Sequence, residues 1–327
     1  MQTSREAVGL DIFQQHLSPL AVRSYTTPST PTTEPDITPV FEPVTGTWQY
    51  LIADPTTLNA AIIDPVLDYH PPTRSITTAT ADSLLALIHS KSYAITWILE
   101  THAHADHLTA ASYLRKRLSE TQSSPPIIGI GSRIPQIQSL FGRRYCLPES
   151  EYTPFVFDHL LSDDEVFFIS PNLSAKAIHL PGHTPDHMGY QIGDNVFCGD
   201  SLFHADIGTA RCDFPGGDAS QLYASAKKLL SLPENVRVWT GHDYPDGTRE
   251  PRPYMTVGGH KRLNRHVRDG IGEGEFVRMR GERDAGLAAP RLLHQSLQMN
   301  VRGGKLPRRT EHGDRLWHLP VKVEGEW

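Results

Sequence analysis

A layered α/β or α+β fold is what this sequence predicts, on three observations. Short β-rich apolar runs alternate with amphipathic helical stretches in the order strands, helices, strands, helix, strand. At 327 residues, with 38% hydrophobic and 21% charged side chains, the chain can bury a substantial core as one large domain or one and a half. Its densest cluster of histidine and carboxylate, Thr101-His102-Ala103-His104-Ala105-Asp106-His107, falls at the end of a predicted strand, where sheets of this class place their chemistry.

The elements follow in order. Residues 1–38 stand apart. Phe13, Leu17, Leu20, Ala21 and Val22 line one side of a short amphipathic helix, and Ser24–Pro39 is a Thr-, Pro- and Ser-rich stretch with little to bury. Two readings stand for this segment, a disordered extension or a targeting sequence. Arg23-Ser24-Tyr25-Thr26 resembles a mitochondrial presequence cleavage site, whereas Glu6 and Asp11 are acids that such presequences avoid. Residues 39–327 form the globular domain, with order beginning near Pro39. Trp48–Ala53 and Ala60–Asp64 read as strands joined by a turn at Asp54–Asn59. Asp82–Ser90 is a helix with Leu84, Leu85, Leu87 and Ile88 inward and Thr80 as candidate cap. Ala94–Leu99 is a strand, and Leu108–Leu118 has helical spacing. Ile127–Ile130 is a strand, and Ser132–Phe141 is a short helix with Pro135 in its first turn. Glu165–Ile169, Ala175–Leu180 and Asn195–Cys198 are strands, the last following a Gly193-Asp194 hairpin signal. Gln221–Leu230 is a helix and Val236–Trp239 a strand. There is no internal repeat.

Bulk properties exclude several classes. A net charge of -6 and a pI near 6.3 give no polyanion-binding signature, so neither nucleic acid nor an acidic membrane surface is an expected partner. No apolar run approaches a bilayer span. Cys146, Cys198 and Cys212 are odd in number and widely spaced, which suits an intracellular, reducing compartment, cytoplasmic or mitochondrial.

Four ligand-capable segments end predicted strands: His102-x-His104-x-Asp106-His107, Pro181-Gly182-His183-Thr184, Cys198-Gly199-Asp200-Ser201 and Gly241-His242-Asp243. Each strand hands a side chain to a loop, with glycine beside three of them for a tight turn. Imidazole and carboxylate together suit zinc, iron or manganese. Singly, His183, Asp200 and His242 are ordinary polar residues; their shared placement makes the joint signal.

This pattern resembles the metallo-β-lactamase superfamily, which implies an αββα sandwich of two mixed β-sheets flanked by helices. In its hydrolases, such as glyoxalase II, the resemblance implies one metal on His102, His104 and His183, a second on Asp106, His107 and His242, and Asp200 bridging. The run Asp206-Ile207-Gly208-Thr209-Ala210-Arg211-Cys212-Asp213-Phe214-Pro215-Gly216-Gly217-Asp218 resembles the signature of the persulfide dioxygenases of bacterial type. His242-Asp243-Tyr244, Asn264-x-His266-Val267 and the family-specific tail Gln298-x-Asn300-x-Arg302-x-Gly304-x-Leu306-Pro307 support it. That family implies a single Fe(II) on His102, His183 and Asp200, a facial triad with open positions for substrate and dioxygen. His104, Asp106, His107 and His242 would then orient ligands, hold water or relay protons. The implied reaction takes glutathione persulfide, dioxygen and water to sulfite and glutathione. The resemblance also implies substrate-binding roles for Arg211, Tyr244 and Lys261, the lysine standing where an arginine is expected, and makes a homodimer an expectation.

Rival readings stand beside these. Arg211 is either a grip for a glutathione carboxylate or half of a structural salt bridge to Asp213; Tyr244 is either a donor to substrate or a rim aromatic. Cys212 beside Arg211 is either a reactive thiol or a bystander, and Cys198 reads as core. The functional alternative is a hydrolase with one or two Zn(II) ions acting on a thioester, lactone or lactam, with Asp106 as base. A non-catalytic metal-binding protein ranks last, because no ligand of the pattern is missing.

Overall fold

The computed structural model describes residues 34–153 and 156–326. The predicted amphipathic segment and cleavage-like site at the N-terminus lie outside the described residues. The elements run β1 (Asp36–Glu42), β2 (Thr47–Ala53), β3 (Asn59–Ile63), β4 (Val66–His70), β5 (Ser75–Thr77), α1 (Ala79–Ser90), β6 (Ala94–Leu99), β7 (Leu108–Thr109), α2 (Ala111–Ser119), β8 (Ile127–Gly131) and α3 (Ile134–Arg144). The second half adds β9 (His159–Leu161), β10 (Val166–Ser170), β11 (Leu173–His179), β12 (Met188–Ile192), β13 (Asn195–Phe197), α4 (Ala219–Leu230), β14 (Arg237–Trp239), β15 (Tyr254–Thr256), α5 (Val257–Leu263), α6 (Glu273–Asp284) and α7 (Leu293–Asn300).

Two six-stranded sheets stack face to face, in the orders β1-β2-β3-β6-β8-β9 and β10-β11-β12-β13-β14-β15. Both are mixed. In the first, β3, β6, β8 and β9 run parallel while β1, β2 and β3 alternate; in the second, only β13–β14 is parallel. Strand β2 shows why the layers form. Alternate side chains leave a strand on opposite faces, so Trp48, Tyr50 and Ile52 enter the core between the sheets. Leu51 and Ala53 face the helical layer of α1, α2, α3 and α7. On the far side, Leu222, Ala226 and Leu229 of α4 and Phe276 of α6 cover Ile178, Val196 and Val238 of the second sheet. The result is the expected αββα sandwich.

Most predicted elements appear within a residue or two, and the departures have local causes. Strand order begins at Asp36, ahead of Pro39, because β1 is an edge strand in which a proline without N–H is tolerated. Thr80 does not cap α1. Its hydroxyl and N–H both donate to Asp68 in the neighbouring β4, and the helix starts at Ala79. The predicted helix from Leu108 divides into β7 and α2, since Leu108 and Thr109 pair with β4. Cys198 is core as expected, and burial pushes its thiol up to about 12. No helix among the described residues is long and apolar enough to cross a membrane.

Candidate metal centre

Four strand ends deliver the side chains to one point. The turn after β6 carries His102, His104, Asp106 and His107; the turns after β11, β13 and β14 carry His183, Asp200 and His242. Two glycines make this convergence possible. Gly182 has φ +133°, and a Cβ there would meet the backbone of Leu222 at 2.2 Å. A Cβ on Gly241 would lie 2.4 Å from Asp200 Oδ1.

His102, His183 and Asp200 offer donor atoms that all lie within 4.8 Å of one another, and all three residues are buried. Asp200 Oδ2 is 3.5 Å from His183 Nε2 and 4.0 Å from His102 Nε2. Its other oxygen is 3.6 Å from His242 Nε2, which also stands 3.2 Å from Asp106 Oδ2. His104, Asp106 and His107 form a second close group, and Asp64, Glu100 and His104 a third.

Each imidazole uses one nitrogen to hold its place. His183 Nδ1 donates to the Arg211 carbonyl at 2.7 Å. The Thr101 hydroxyl donates to Asp64 Oδ2 at 2.8 Å, so Thr101 Oγ1 accepts from His102 Nδ1 at 3.0 Å. His104 Nε2 donates to Asp64 Oδ1 at 3.0 Å, with Glu100 Oε2 at 3.4 Å. His242 Nδ1 and Thr47 Oγ1 lie 3.3 Å apart, and His107 Nδ1 is 3.4 Å from the Leu108 carbonyl. The opposite atoms, His102 Nε2, His104 Nδ1 and His107 Nε2, are buried without hydrogen-bond partners among the described residues, as are Asp106 Oδ2 and Asp200 Oδ1. Orphaned buried polar atoms are costly; converging here, they fit a metal ion whose ligands are oriented from behind.

Electrostatics agree. Burial, reinforced by the neighbouring imidazoles, holds His102 well below the usual histidine pKa, and burial brings His107 down to about 3, so both present lone pairs rather than protons. Burial opposes the charged form of His104 as well, yet Asp64 and Glu100 beside it raise its pKa well above the ordinary value.

A cavity of about 310 Å³ opens onto this centre, within the size range of small-molecule sites. Asp106, His183 and Asp200 line it, together with Phe203, Tyr244, Arg211, Arg280 and Arg283.

The metallo-beta-lactamase superfamily profile matches residues 43–242, which include every one of these ligands. The chain belongs to the metallo-beta-lactamase superfamily. Among its relatives in that superfamily, "Glyoxylase B2" of Dictyostelium discoideum is 41% identical over 288 residues, 88% of this chain and 96% of that protein. The "Beta-lactamase hydrolase-like protein" of Xylella fastidiosa is 40% identical over 289 residues; the match covers 88% of this chain and spans 65% of that longer protein. The mitochondrial "Persulfide dioxygenase ETHE1" of Homo sapiens is 30% identical over 268 residues, 81% of this chain and 87% of that one. Among solved structures, ETHE1 from Myxococcus xanthus superposes with a TM-score of 0.66 at 27% identity, covering 83% of this chain and 100% of its own.

The structure brings all seven expected metal-site residues together. The expected substrate residues divide. Tyr244 lines the cavity, its ring stacked on His242 at 5.5 Å. Arg211 lines it too, but its Nε and Nη2 both donate to Asp213 and its Nη1 donates to the Ala288 carbonyl at 2.8 Å. The fork expected to grip substrate is thus filled from within the chain. Lys261 is not among the cavity's lining residues: it lies half-buried within α5, just after the buried residues Val257–His260. Cys212 is also absent from the lining, and burial pushes its thiol up to about 12, which fits the bystander reading.

Sequence reasoning missed the residues behind the ligands. Asp186 accepts from the Ala103 N–H at 2.9 Å, and His187 Nε2 accepts from the Asp200 N–H at 2.9 Å. Asn300, part of the quoted tail pattern, spans the ligand loop: its Nδ2 donates to the carbonyls of His104 and His107, both at 2.8 Å, while Oδ1 accepts from the Thr109 N–H at 2.9 Å.

Proposed function

We propose that this chain is a mononuclear non-heme iron dioxygenase that converts glutathione persulfide, dioxygen and water to sulfite and glutathione. The observation that carries this reading is the buried group His102, His183 and Asp200, two imidazoles and one carboxylate converging on one point beneath a cavity. Such a set binds ferrous iron on one face and leaves positions open. The relatedness to the persulfide dioxygenase of Homo sapiens adds support.

Ferrous iron held by His102, His183 and Asp200 would bind the persulfide sulfur and activate dioxygen there. The chain supplies the rest. The Arg211 carbonyl fixes the ring of His183, and the Thr101–Asp64 pair fixes that of His102. Asp106 and His242 pair at 3.2 Å beside the triad, where they can hold a water or pass a proton.

A zinc hydrolase acting on a thioester, lactone or lactam is the second reading. It is favoured by the full complement of Asp106, His107 and His242 and by the names of the relatives at 40–41% identity. Oxygen uptake with glutathione persulfide separates the two. The iron-loaded protein should consume one dioxygen per sulfite formed. Thioester hydrolysis by the zinc-loaded protein, with no oxygen uptake by the iron form, would overturn the dioxygenase reading.

A further inference from the structure

Among the described residues, the charged side chains lining the cavity leave one cation without a partner. Asp106 and Asp200 face the imidazoles. Arg211 is tied to Asp213. Arg280 is buried and paired with Asp284, and its Nη1 donates to the Thr209 carbonyl at 3.3 Å. Asp284 in turn accepts from the Cys212 N–H at 2.8 Å, so the end of α6 is fastened to the loop that forms one side of the cavity. Arg283, one turn from Arg280 on the same helix, also lines the cavity. It makes no ion pair and no side-chain hydrogen bond among the described residues.

We propose that Arg283 is the specificity-determining residue that seats a substrate carboxylate at the cavity wall while the sulfur end reaches the triad of His102, His183 and Asp200. This deepens the persulfide reading and rests on it for the identity of the substrate. Its own basis is the charge pattern: the guanidinium expected to do this work, Arg211, is spent on Asp213, whereas Arg283 has no partner among the described residues and stands on the helix turn that Arg280 and Asp284 anchor. A planar guanidinium matches a carboxylate through two parallel hydrogen bonds. Partial burial and the like charges of Arg280 and Arg265 burden the Arg283 cation, and a carboxylate seated there relieves that burden. The rival role for Arg283 is local: it stands in the last turn of α6, where a cation suits the negative end of the helix.

Calorimetric titration of the metal-loaded protein with glutathione and with glutathione diethyl ester tests the assignment. R283Q should weaken glutathione binding by about 10–100-fold and leave the ester's weaker binding unchanged, with Tm unaltered. R283K should fall between, because it keeps the charge and loses the fork. The proposal is overturned if the wild-type protein does not bind glutathione, if R283Q binds it as the wild type does, or if R283Q lowers Tm and affects both ligands equally. Wild-type protein that binds glutathione through Arg283 yet takes up no oxygen with the persulfide would count against the dioxygenase reading and leave Arg283's role standing.

Discussion

Asp64→Asn is the substitution that most sharply tests how the metal ligands are oriented. Asp64 is buried and accepts three hydrogen bonds: the Thr101 N–H at 2.7 Å, the Thr101 hydroxyl at 2.8 Å and His104 Nε2 at 3.0 Å. Asparagine has the same shape but only one acceptor oxygen. Placed to receive the Thr101 N–H and His104, it turns its NH2 toward the Thr101 hydroxyl. That hydroxyl then directs its own hydrogen at His102 Nδ1, which must accept. The His102 proton moves to Nε2, the atom that faces the metal position. Two charge-assisted bonds also become neutral ones, a loss of about 2 kcal/mol in total. Disturbing a ligand's supporting partner lowers metal affinity about 10–100-fold, equivalent to about 1.4–2.7 kcal/mol. Competition titration against a chromophoric chelator reads the affinity, and urea unfolding of the metal-free protein reads the stability. Thr101→Val, which removes the hydroxyl relay alone, should weaken metal binding in the same direction without the loss at His104. Metal affinity of Asp64→Asn within about twofold of wild type would refute the tautomer argument.

Three further outcomes follow from the same contacts. Asn300→Ala strips partners from two carbonyls and one N–H of the ligand loop and should cost about 3–5 kcal/mol in urea unfolding; Asn300→Asp, which aims an oxygen at both carbonyls, should cost more, and wild-type stability in either would contradict the clamp. Gly241→Ala forces Asp200 aside and should lower bound metal at least about tenfold with the fold retained by circular dichroism; full metal content would show that Asp200 is not needed. His266 is held down to about 3, by burial and then by Arg280, Arg283 and Arg265, while its Nδ1 accepts from the Thr209 N–H. Its folded pKa lies below the unfolded value, so the stability it contributes is complete above about pH 6.5 and is lost as pH falls toward 3, about 2 kcal/mol of it by pH 5. His266→Asn should flatten that part of the stability profile, and an unchanged slope between pH 7 and 5 would count against it.

What the sequence made legible was local. The β-rich apolar runs Trp48–Ala53 and Ala94–Leu99 announce their strands, because each writes its pattern over a few adjacent residues. The metal ligands are legible for the same reason: four short motifs each sit just past such a strand. The supporting contacts are not, since they join distant positions. Asp64 reaches His104 from the end of β3, three strands earlier in the chain, and Asn300 reaches the same loop from the C-terminal helix. Leu108 and Thr109 keep the spacing of the helix that follows, and only pairing with Val66 and Leu67 turns them into a strand. Arg211 shows the limit most plainly. Its proximity to Asp213 is visible in the sequence, but only the structure shows both arms of the fork committed there. Arg280 and Arg283 carry no motif; their importance comes from where α6 docks.

The central claim is that His102, His183 and Asp200 hold one ferrous ion with positions left open. Metal stoichiometry after anaerobic reconstitution with ferrous iron, measured on the wild type and on His242→Ala, tests it most directly. One iron per chain in both proteins is the expected result. Two ions in the wild type, falling to one in His242→Ala, would contradict it.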